Sequence, residues 1–559
     1  VALTAAAVVA VAALLPLSLL LAGPALLLSV ASDAAVAAEG VVAAPTGVCA
    51  GPAGWRRRLP RLEPELHPPR VQPRQLAPGF SVRGTPRARA RDHQVRAGGG
   101  GQGGSGENGG AREGLVPLNA WAQLLVGRGD LRGSGGSGAW AEAVWVWRCD
   151  TVKLLPTPEQ EELLRRVGDA TARLINMENY RRRRLFFEGR GIDKSWQSAW
   201  ERRRTEYVEV YRLLGSRNFH EVCRVVGEAW RSFAELLKAR REGRLEPWQE
   251  PRPPGYRKRE GQRLPIVIVR FDNYRVDLER RVLHLGYWNI ELRFAGKPRW
   301  LTRPNAKQGR LILTYDEVKR RWYARVSVEV LLQTSSTPGP KAGIDPGREI
   351  LAAVAAEDGT ALLYRGGVLK SEYFYFERRV SEVERALNLE EVDQEVLREK
   401  RRWLFDMRKR RMEQIFANMA AHMARELARR GVGVVFLGYP RGIAHDHVGK
   451  GNTNLWSYKK LITRLATTLE NHGIAAFAVA EDGTSMTCAR HGCEVARRPR
   501  GLVWCPHGHV AHSDVNAALN ILLRGLSALG LAAELPGRVK VYSYTPTPSR
   551  VVEPKKKRP

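Results

Sequence analysis

The sequence predicts a multidomain α/β protein in which a β-barrel, interrupted by a helical insertion, precedes a sheet domain split by a Cys/His ribbon. Three observations carry that expectation. Short apolar-alternating runs recur at barrel-like spacing: Leu264 to Arg270, Tyr274 to Asp277, Trp288 to Phe294, Gly309 to Tyr315 and Trp322 to Val330. Helical periodicity fills the stretch between these runs and an earlier one at Val144 to Val152. Beyond them, strand-like and helical runs alternate, acids sit where strands end, and Cys488, Cys493 and Cys505 crowd among histidines.

Composition sets the partner class. At 559 residues the chain has room for several units of roughly 100 to 200 residues. Lys plus Arg number 90 against 58 Asp plus Glu, a formal net charge of +32 and a sequence pI near 10.4. Such an excess points to a polyanion, and nucleic acid comes first because each neutralised phosphate releases bound counterions. Apolar residues at 43% and charged ones at 26% are globular proportions, which excludes a wholly disordered basic tail. Six cysteines are too sparse for a disulfide framework and suit a metal site in a reducing compartment.

The first part of the chain reads differently. Residues 1–32 carry no charged side chain and are long enough to span a bilayer, yet they lack the positive charge that precedes a secretory apolar stretch. Pro-, Arg- and Gly-rich sequence follows, and the first lysine of the chain is Lys153. Residues 1–143 are therefore expected to be a disordered or upstream reading-frame extension, with no membrane as partner. The rival reading is a membrane-tethered or secreted basic protein, and it depends on the apolar segment 1–32.

The body is read in order. Residues 144–156 and 262–335 supply the barrel, and 157–250 supply a helical lobe opened by Thr157 as N-cap, Pro158 at the first position and Gln160 as capping-box partner. Basic clusters in this lobe, with Arg181 and Arg182 foremost, are expected to contact phosphate. Residues 378–430 read as a long amphipathic helical stretch whose basic block includes Arg401, Arg402, Arg408, Lys409, Arg410 and Arg411. Val432 to Leu437 reads as a buried strand, Trp456 to His472 as a helix, and Ile474 to Ala480 as a strand ending at Glu481. Residues 527–559 form a basic C-terminal tail.

Two constellations carry chemistry. Asp345 closes one strand, Glu481 closes another, and Asp514 lies in the first turn of the helix begun by Ser513. Three carboxylates so placed can hold two divalent cations about 4 Å apart for in-line phosphodiester hydrolysis. Hard Mg2+ or Mn2+ prefers such oxygen ligands. Between the last two acids, Cys488-Ala489-Arg490-His491 and Cys505-Pro506-His507 have zinc-ribbon spacing, with thiolate and imidazole donors for a structural Zn2+. The expected ligands are Cys488, His491, Cys505 and His507, with Cys493 and His509 as substitutes.

These residues together resemble the TnpB (OrfB) family, insertion-sequence-encoded RNA-guided nucleases related to type V CRISPR effectors. The resemblance rests on Gly343-Ile344-Asp345-Pro346-Gly347, on Thr484-Ser485-Met486-Thr487-Cys488 and on Ser513-Asp514-Val515-Asn516-Ala517-Ala518-Leu519-Asn520-Ile521, and spans about Trp145 to Leu526. It implies a RuvC-like, RNase H-like nuclease domain at 340–484 and 511–526, a zinc-ribbon insertion at 485–510, and a wedge-type barrel holding a recognition lobe. It also implies a bound guide RNA, a short adjacent motif read on duplex DNA, and cleavage after heteroduplex formation in a channel lined by the basic helix. In many relatives the second acid follows the strand matching Val434 to Leu437, but here Gly438-Tyr439-Pro440 stands there. Some relatives place it just before the Thr-Ser pair, which selects Glu481, with Asp482 as its neighbour and Asp446 as a further candidate.

The expected function is thus an RNA-guided, divalent-metal-dependent DNA endonuclease associated with a transposable element, with DNA and guide RNA as partners and no small-molecule substrate. A catalytically inactive nucleic-acid-binding relative is the alternative, and a DNA-joining transposase would use the same acids for strand transfer. The expected location is cytoplasmic and nucleoid-associated, nuclear only if Pro554-Lys555-Lys556-Lys557-Arg558 serves as an import signal.

Overall fold

Two sheets, one antiparallel and one mixed, organise the chain, and the apolar alternation of their strands decides which residues each one buries. A computed structural model describes residues 115–128, 143–245, 249–259, 261–333, 339–389, 393–440, 457–532 and 534–553. The apolar segment 1–32, the Asp446 candidate and the basic tip 554–559 lie outside the described residues.

The first sheet has seven strands. They are β2 (Ala143–Leu155), β5 (Ile266–Val269), β6 (Tyr274–Asp277), β7 (Val282–Leu285), β8 (Ile290–Ala295), β9 (Lys307–Asp316) and β10 (Arg321–Gln333), in the order β5-β9-β10-β2-β8-β7-β6. Every pairing is antiparallel, and β2 enters the middle of the sheet although a helical insertion separates it from the rest of the chain. In β10 the period of two is plain: Trp322, Ala324, Val326, Val328 and Val330 are buried while the residues between them are not. The short hairpin β3 (Lys258–Arg259) and β4 (Gln262–Arg263) leads into this sheet, and β1 (Val116–Pro117) belongs to the second one.

The insertion consists of α2 (Pro158–Phe187), α3 (Gln197–Glu201) and α4 (Val208–Arg241). Thr157 caps α2 as the sequence predicts, with the Gln160 side chain returning to the Thr157 backbone. Leu164, Leu174, Phe219 and Trp230 join the core of the seven-stranded sheet.

The second sheet has eight strands in the order β1-β15-β14-β11-β12-β13-β18-β19. They are β1, β11 (Lys341–Asp345), β12 (Ile350–Ala356), β13 (Thr360–Arg365), β14 (Val434–Tyr439), β15 (Ala475–Ala480), β18 (Lys540–Pro546) and β19 (Val551–Val552). β11, β14 and β15 run parallel at its centre, as their near-continuous burial requires. Helices α5 (Gly367–Ala386), α6 (Gln394–Arg429), α7 (Tyr458–Glu470) and α8 (Ser513–Ala528) serve this sheet. Ile415, Phe416, Met419 and Met423 of α6 pack with Leu461 and Leu465 of α7 over one set of sheet residues, and Ile521, Leu522 and Leu526 of α8 pack with Phe436 and Phe477. The small antiparallel pair β16 (Leu502–Trp504) and β17 (Val510–His512) belongs to the ribbon before α8.

Three expectations are corrected. Residues 115–128 are part of the folded body: β1 pairs with β15, and α1 (Ala120–Arg128) buries Trp121 and Ala122 completely. Asn119 secures the join, its side chain donating to the Ile474 carbonyl and accepting from the Ala122 and Ala476 amides. The presumed tail also joins the fold, since the alternating segment 540–546 pairs in parallel with β13. The single helical stretch at 378–430 is two helices, because Asp393 caps a new one by accepting from the Glu395 and Val396 amides. The two sheets are linked at Arg148 of β2, which reaches Glu470 at 2.6 Å and Asn471 at 2.7 Å while the same Glu470 accepts from Ala120.

Candidate active site and metal centre

Parity within the central strands places the acids. Registers align Gly343 of β11 with Phe436 of β14, and Phe436 with Phe477 of β15, so these residues share the face covered by α8. Two residues further along each strand the same face carries Asp345, Gly438 and Val479, and one further alternation past Val479 is Glu481. Gly343 lets the helix lie against the strand, for a Cβ there would fall 2.1 Å from the Ala518 carbonyl oxygen. Gly525 does the same from the helix side, where a Cβ would meet the Phe436 ring at 2.2 Å. Asp514 in the first turn of α8 is thereby brought toward the end of β11, with His512 as N-cap accepting from the Asp514 amide.

Charge crowding puts the three carboxyls in one environment. Desolvation, followed by the charge of Asp514, raises Asp345 to about 7 against the opposing pull of the Arg497 guanidinium. Desolvation, then Asp345 and Asp482, raises Glu481 to about 8. Asp514 is also raised, chiefly by desolvation, with His512 and Arg497 working the other way. The Oε2 atom of Glu481 is buried without a hydrogen-bond partner. An orphaned carboxylate oxygen among mutually repelling acids is the condition that a bound cation relieves, and the donor set is all oxygen.

Gly438 has a second meaning here. A Cβ at that position would lie 2.9 Å from Glu481 Oε2, 2.7 Å from Ile521 Cδ1 and 3.3 Å from Pro346 Cδ. The missing side chain on β14 is therefore the space that the Glu481 carboxylate occupies. The sequence shows Gly438 as an absent acid; its role as room for a neighbouring one needs the strand register. Arg497 carries no distinguishing signal in the sequence, being one of several arginines in the ribbon.

The ribbon gathers six donors. Cys488, His491 and Cys505 form one group able to hold a metal ion, and Cys493, Cys505 and His507 form another. In the first, His491 Nδ1 lies 3.7 Å from Cys488 Sγ and 3.1 Å from Cys505 Sγ. In the second, His507 Nδ1 lies 3.6 Å from both Cys493 Sγ and Cys505 Sγ. His509 Nδ1 is 3.3 Å from Cys488 Sγ. The expected quartet is thus brought together in three of its members, while His507 groups with Cys493 and Cys505. The turn explains the split: the Cys505 amide bonds the His509 carbonyl across Gly508, which turns His507 to the Cys493 side.

The basic candidates fare unevenly. Arg182 is fully buried, donating to Glu178 at 3.0 Å and to the Asp193 and Ser195 carbonyls at 2.8 Å, so it holds the lobe together and does not face a phosphate. Arg181 is likewise tied to Glu178 and Asp193. Arg401, Arg408 and Arg411 of α6 pair with Glu384, Glu377 and Glu372 of α5, a charge zipper along the helical hairpin, and Arg410 pairs with Asp406. Lys409 and Arg402 are exposed.

Comparison with known proteins agrees with the motifs. A family model described as OrfB_IS605, probable transposase, matches residues 323–444, and one described as Cas12f1-like, TNB domain, matches residues 458–521. The TnpB-like protein ORF457 of Acidianus two-tailed virus is 37% identical over 411 residues, covering 68% of this chain and 87% of the viral protein. This chain belongs to the TnpB family. The TnpB family is related to type V effectors, and among solved structures a Cas12f1–sgRNA–target DNA complex aligns with a TM-score of 0.44 at 15% identity, over 65% of this chain and 83% of that one. The mini-RNA-guided endonuclease CRISPR-Cas_phi3 aligns with a TM-score of 0.32 at 10% identity, over 70% and 94%. Among the described residues of this TnpB-family chain, no helix is long and apolar enough to cross a membrane.

Proposed function

We propose that this TnpB-family chain is an RNA-guided, divalent-metal-dependent DNA endonuclease. In this reading the eight-stranded sheet is a RuvC-like, RNase H-like nuclease domain, the Cys/His segment is a zinc ribbon, and the seven-stranded sheet is a wedge with α2 to α4 as its recognition lobe. The observation that carries the proposal is the convergence of Asp345, Glu481 and Asp514, with raised carboxyl pKa values and an unpartnered Glu481 oxygen.

Asp345 and Asp514 would bind Mg2+ or Mn2+, and Glu481 would complete the coordination. Two such ions supply an activated water and stabilise the leaving oxygen of a phosphodiester. The chain's own residues do the rest. Asp345, Glu481 and Asp514 would ionise to hold a cation, whose charge would offset their mutual repulsion. Arg497 sets a fixed positive charge beside Asp345 and Asp514, suited to holding the anionic substrate against them. Cys488, His491 and Cys505 would hold Zn2+, with the fourth donor from His507 or His509, and so fix the segment joining Glu481 to Asp514.

The test is to purify the full chain, extract and sequence the RNA that accompanies it, and assay cleavage of matching DNA with and without Mg2+. A defined RNA, and Mg2+-dependent hydrolysed ends that vanish in Asp345→Ala, are expected. Defined RNA without cleavage would replace this reading with the catalytically inactive relative. Joined rather than hydrolysed ends would indicate a strand-transfer enzyme.

A further inference from the structure

We propose that Arg524, ten residues along α8 from Asp514, is the positioning residue for Glu481. The inference rests on the reading of Glu481 as the second metal-binding acid. Its basis is a run of three backbone carbonyls at the end of β15. Arg524 donates from Nη1 to the Ala480 carbonyl at 2.9 Å and from Nη2 to the Asp482 carbonyl at 2.6 Å. Between them, the Glu481 carbonyl accepts from the Thr484 amide at 3.0 Å and its hydroxyl at 2.8 Å. One guanidinium thus straddles the residue whose side chain enters the acid cluster.

The division of labour along α8 separates this role from general folding. Asn516, Asn520 and Arg524 recur at i, i+4 and i+8, on one stripe of the helix. Asn516 donates to the Thr487 carbonyl at 2.7 Å and accepts from the Ala489 amide at 2.9 Å. Asn520 donates to the Thr484 and Thr487 carbonyls, both at 2.7 Å. These two buried asparagines fix residues 484–489, the root of the ribbon. Arg524 is exposed, and among the described residues its hydrogen bonds go to the carbonyls of Ala480 and Asp482. A planar guanidinium reaches the two carbonyls from two nitrogens in a fixed fork, whereas a lysine ammonium has its three donors on one nitrogen at the end of a flexible stem and cannot hold that spacing rigidly. The same rigid helix therefore carries Asp514 at its start and, through Arg524, sets where Glu481 stands relative to it. A strand end that rotates about residue 481 would carry the carboxylate out of the space left by Gly438.

Mn2+ affinity of the full chain, measured by calorimetry beside the melting temperature in EDTA, tests this. Arg524→Lys is expected to weaken Mn2+ binding about ten-fold, the scale of lost outer-shell support for a metal ligand, with the melting temperature little changed. Glu481→Gln is expected to weaken it at least as much, and the double variant no further than Glu481→Gln alone. Independent, multiplying losses would overturn the inference. So would an unchanged affinity in Arg524→Lys, or a fall in melting temperature with affinity intact, which would mark a structural role. Mn2+ binding unaffected by Glu481→Gln would refute the underlying assignment of Glu481 itself, and is distinguishable because only that variant tests the acid directly.

Discussion

At the scale of single residues, Gly438 offers no carboxylate at the end of β14, and the Glu481 carboxylate fills the space its side chain would take. Gly438→Ala puts a methyl group 2.9 Å from Glu481 Oε2 and 2.7 Å from Ile521 Cδ1. It should cost about 1–3 kcal/mol of stability by overpacking, and lower Mg2+-dependent cleavage; unchanged cleavage would show that the Glu481 position is not critical. Gly438→Glu combined with Glu481→Ala moves the acid onto β14 and should cleave better than Glu481→Ala alone. The raised carboxyls also predict a pH dependence. A folded-state pKa of about 7 for Asp345 and about 8 for Glu481 lies above the unfolded values, so the stability they contribute is full below pH about 4 and is lost as pH rises through 7 to 8. In EDTA the melting temperature should fall across that window, and the stabilisation by added Mn2+ should grow across it. A shallower profile in Asp345→Asn, and a flat one when Glu481→Gln is added, would assign the effect to this site.

At the scale of elements, the period-two pattern makes most strands legible, and the ends of those apolar runs by themselves mark two of the three acids as strand-end residues. β7 escapes the pattern because Val282 and Leu283 are adjacent apolar residues that break the strict alternation, and both are buried. The edge pieces escape it for another reason. The segment 115–128 is short and lies beside Gly-rich sequence, so the composition around it outweighs its Leu115-Val116-Pro117-Leu118 run. Its value comes from the sheet it completes, which no local pattern displays. Trp121→Ala removes a side chain that is 1% exposed and should destabilise the eight-stranded sheet by about 3–5 kcal/mol in chemical denaturation. A loss under about 1 kcal/mol would return this segment to the status of an extension. The basic block of α6 is legible as charge, but its pairing with Glu372, Glu377 and Glu384 is not, because those acids lie on a separate helix. In the ribbon, spacing identifies the donors and the turn at Gly508 divides them. Cys505→Ser removes the donor common to both groups and should abolish bound zinc in elemental analysis, whereas His507→Ala should leave it if His509 is the fourth ligand.

At the scale of the whole molecule, a net charge of +32 favours an anionic partner such as nucleic acid, while Asp345, Glu481 and Asp514 stand together at the ends of the parallel strands and the start of α8. The Arg148 and Glu470 contact joins the seven-stranded sheet and the segment 115–128 to α7 beside the eight-stranded sheet, with both side chains 9% exposed. Motion of the two sheets relative to each other would have to work through or around it. The family is readable from three short motifs because each carries a geometric demand: Gly343 for close approach of a helix, the Thr484 and Thr487 carbonyls as acceptors at the ribbon root, and Asn516 and Asn520 as their donors. Glu481 is legible as a strand-end acid, but its fit into the space left by Gly438 needs the register of β14 and β15. The most direct test of the central claim is cleavage of guide-matched DNA in Mg2+ by the RNA-loaded full chain and by Glu481→Ala. Loss of cleavage to background, with RNA content and DNA binding retained, is the predicted result. Cleavage at the wild-type rate in Glu481→Ala would contradict it and send the second acid elsewhere.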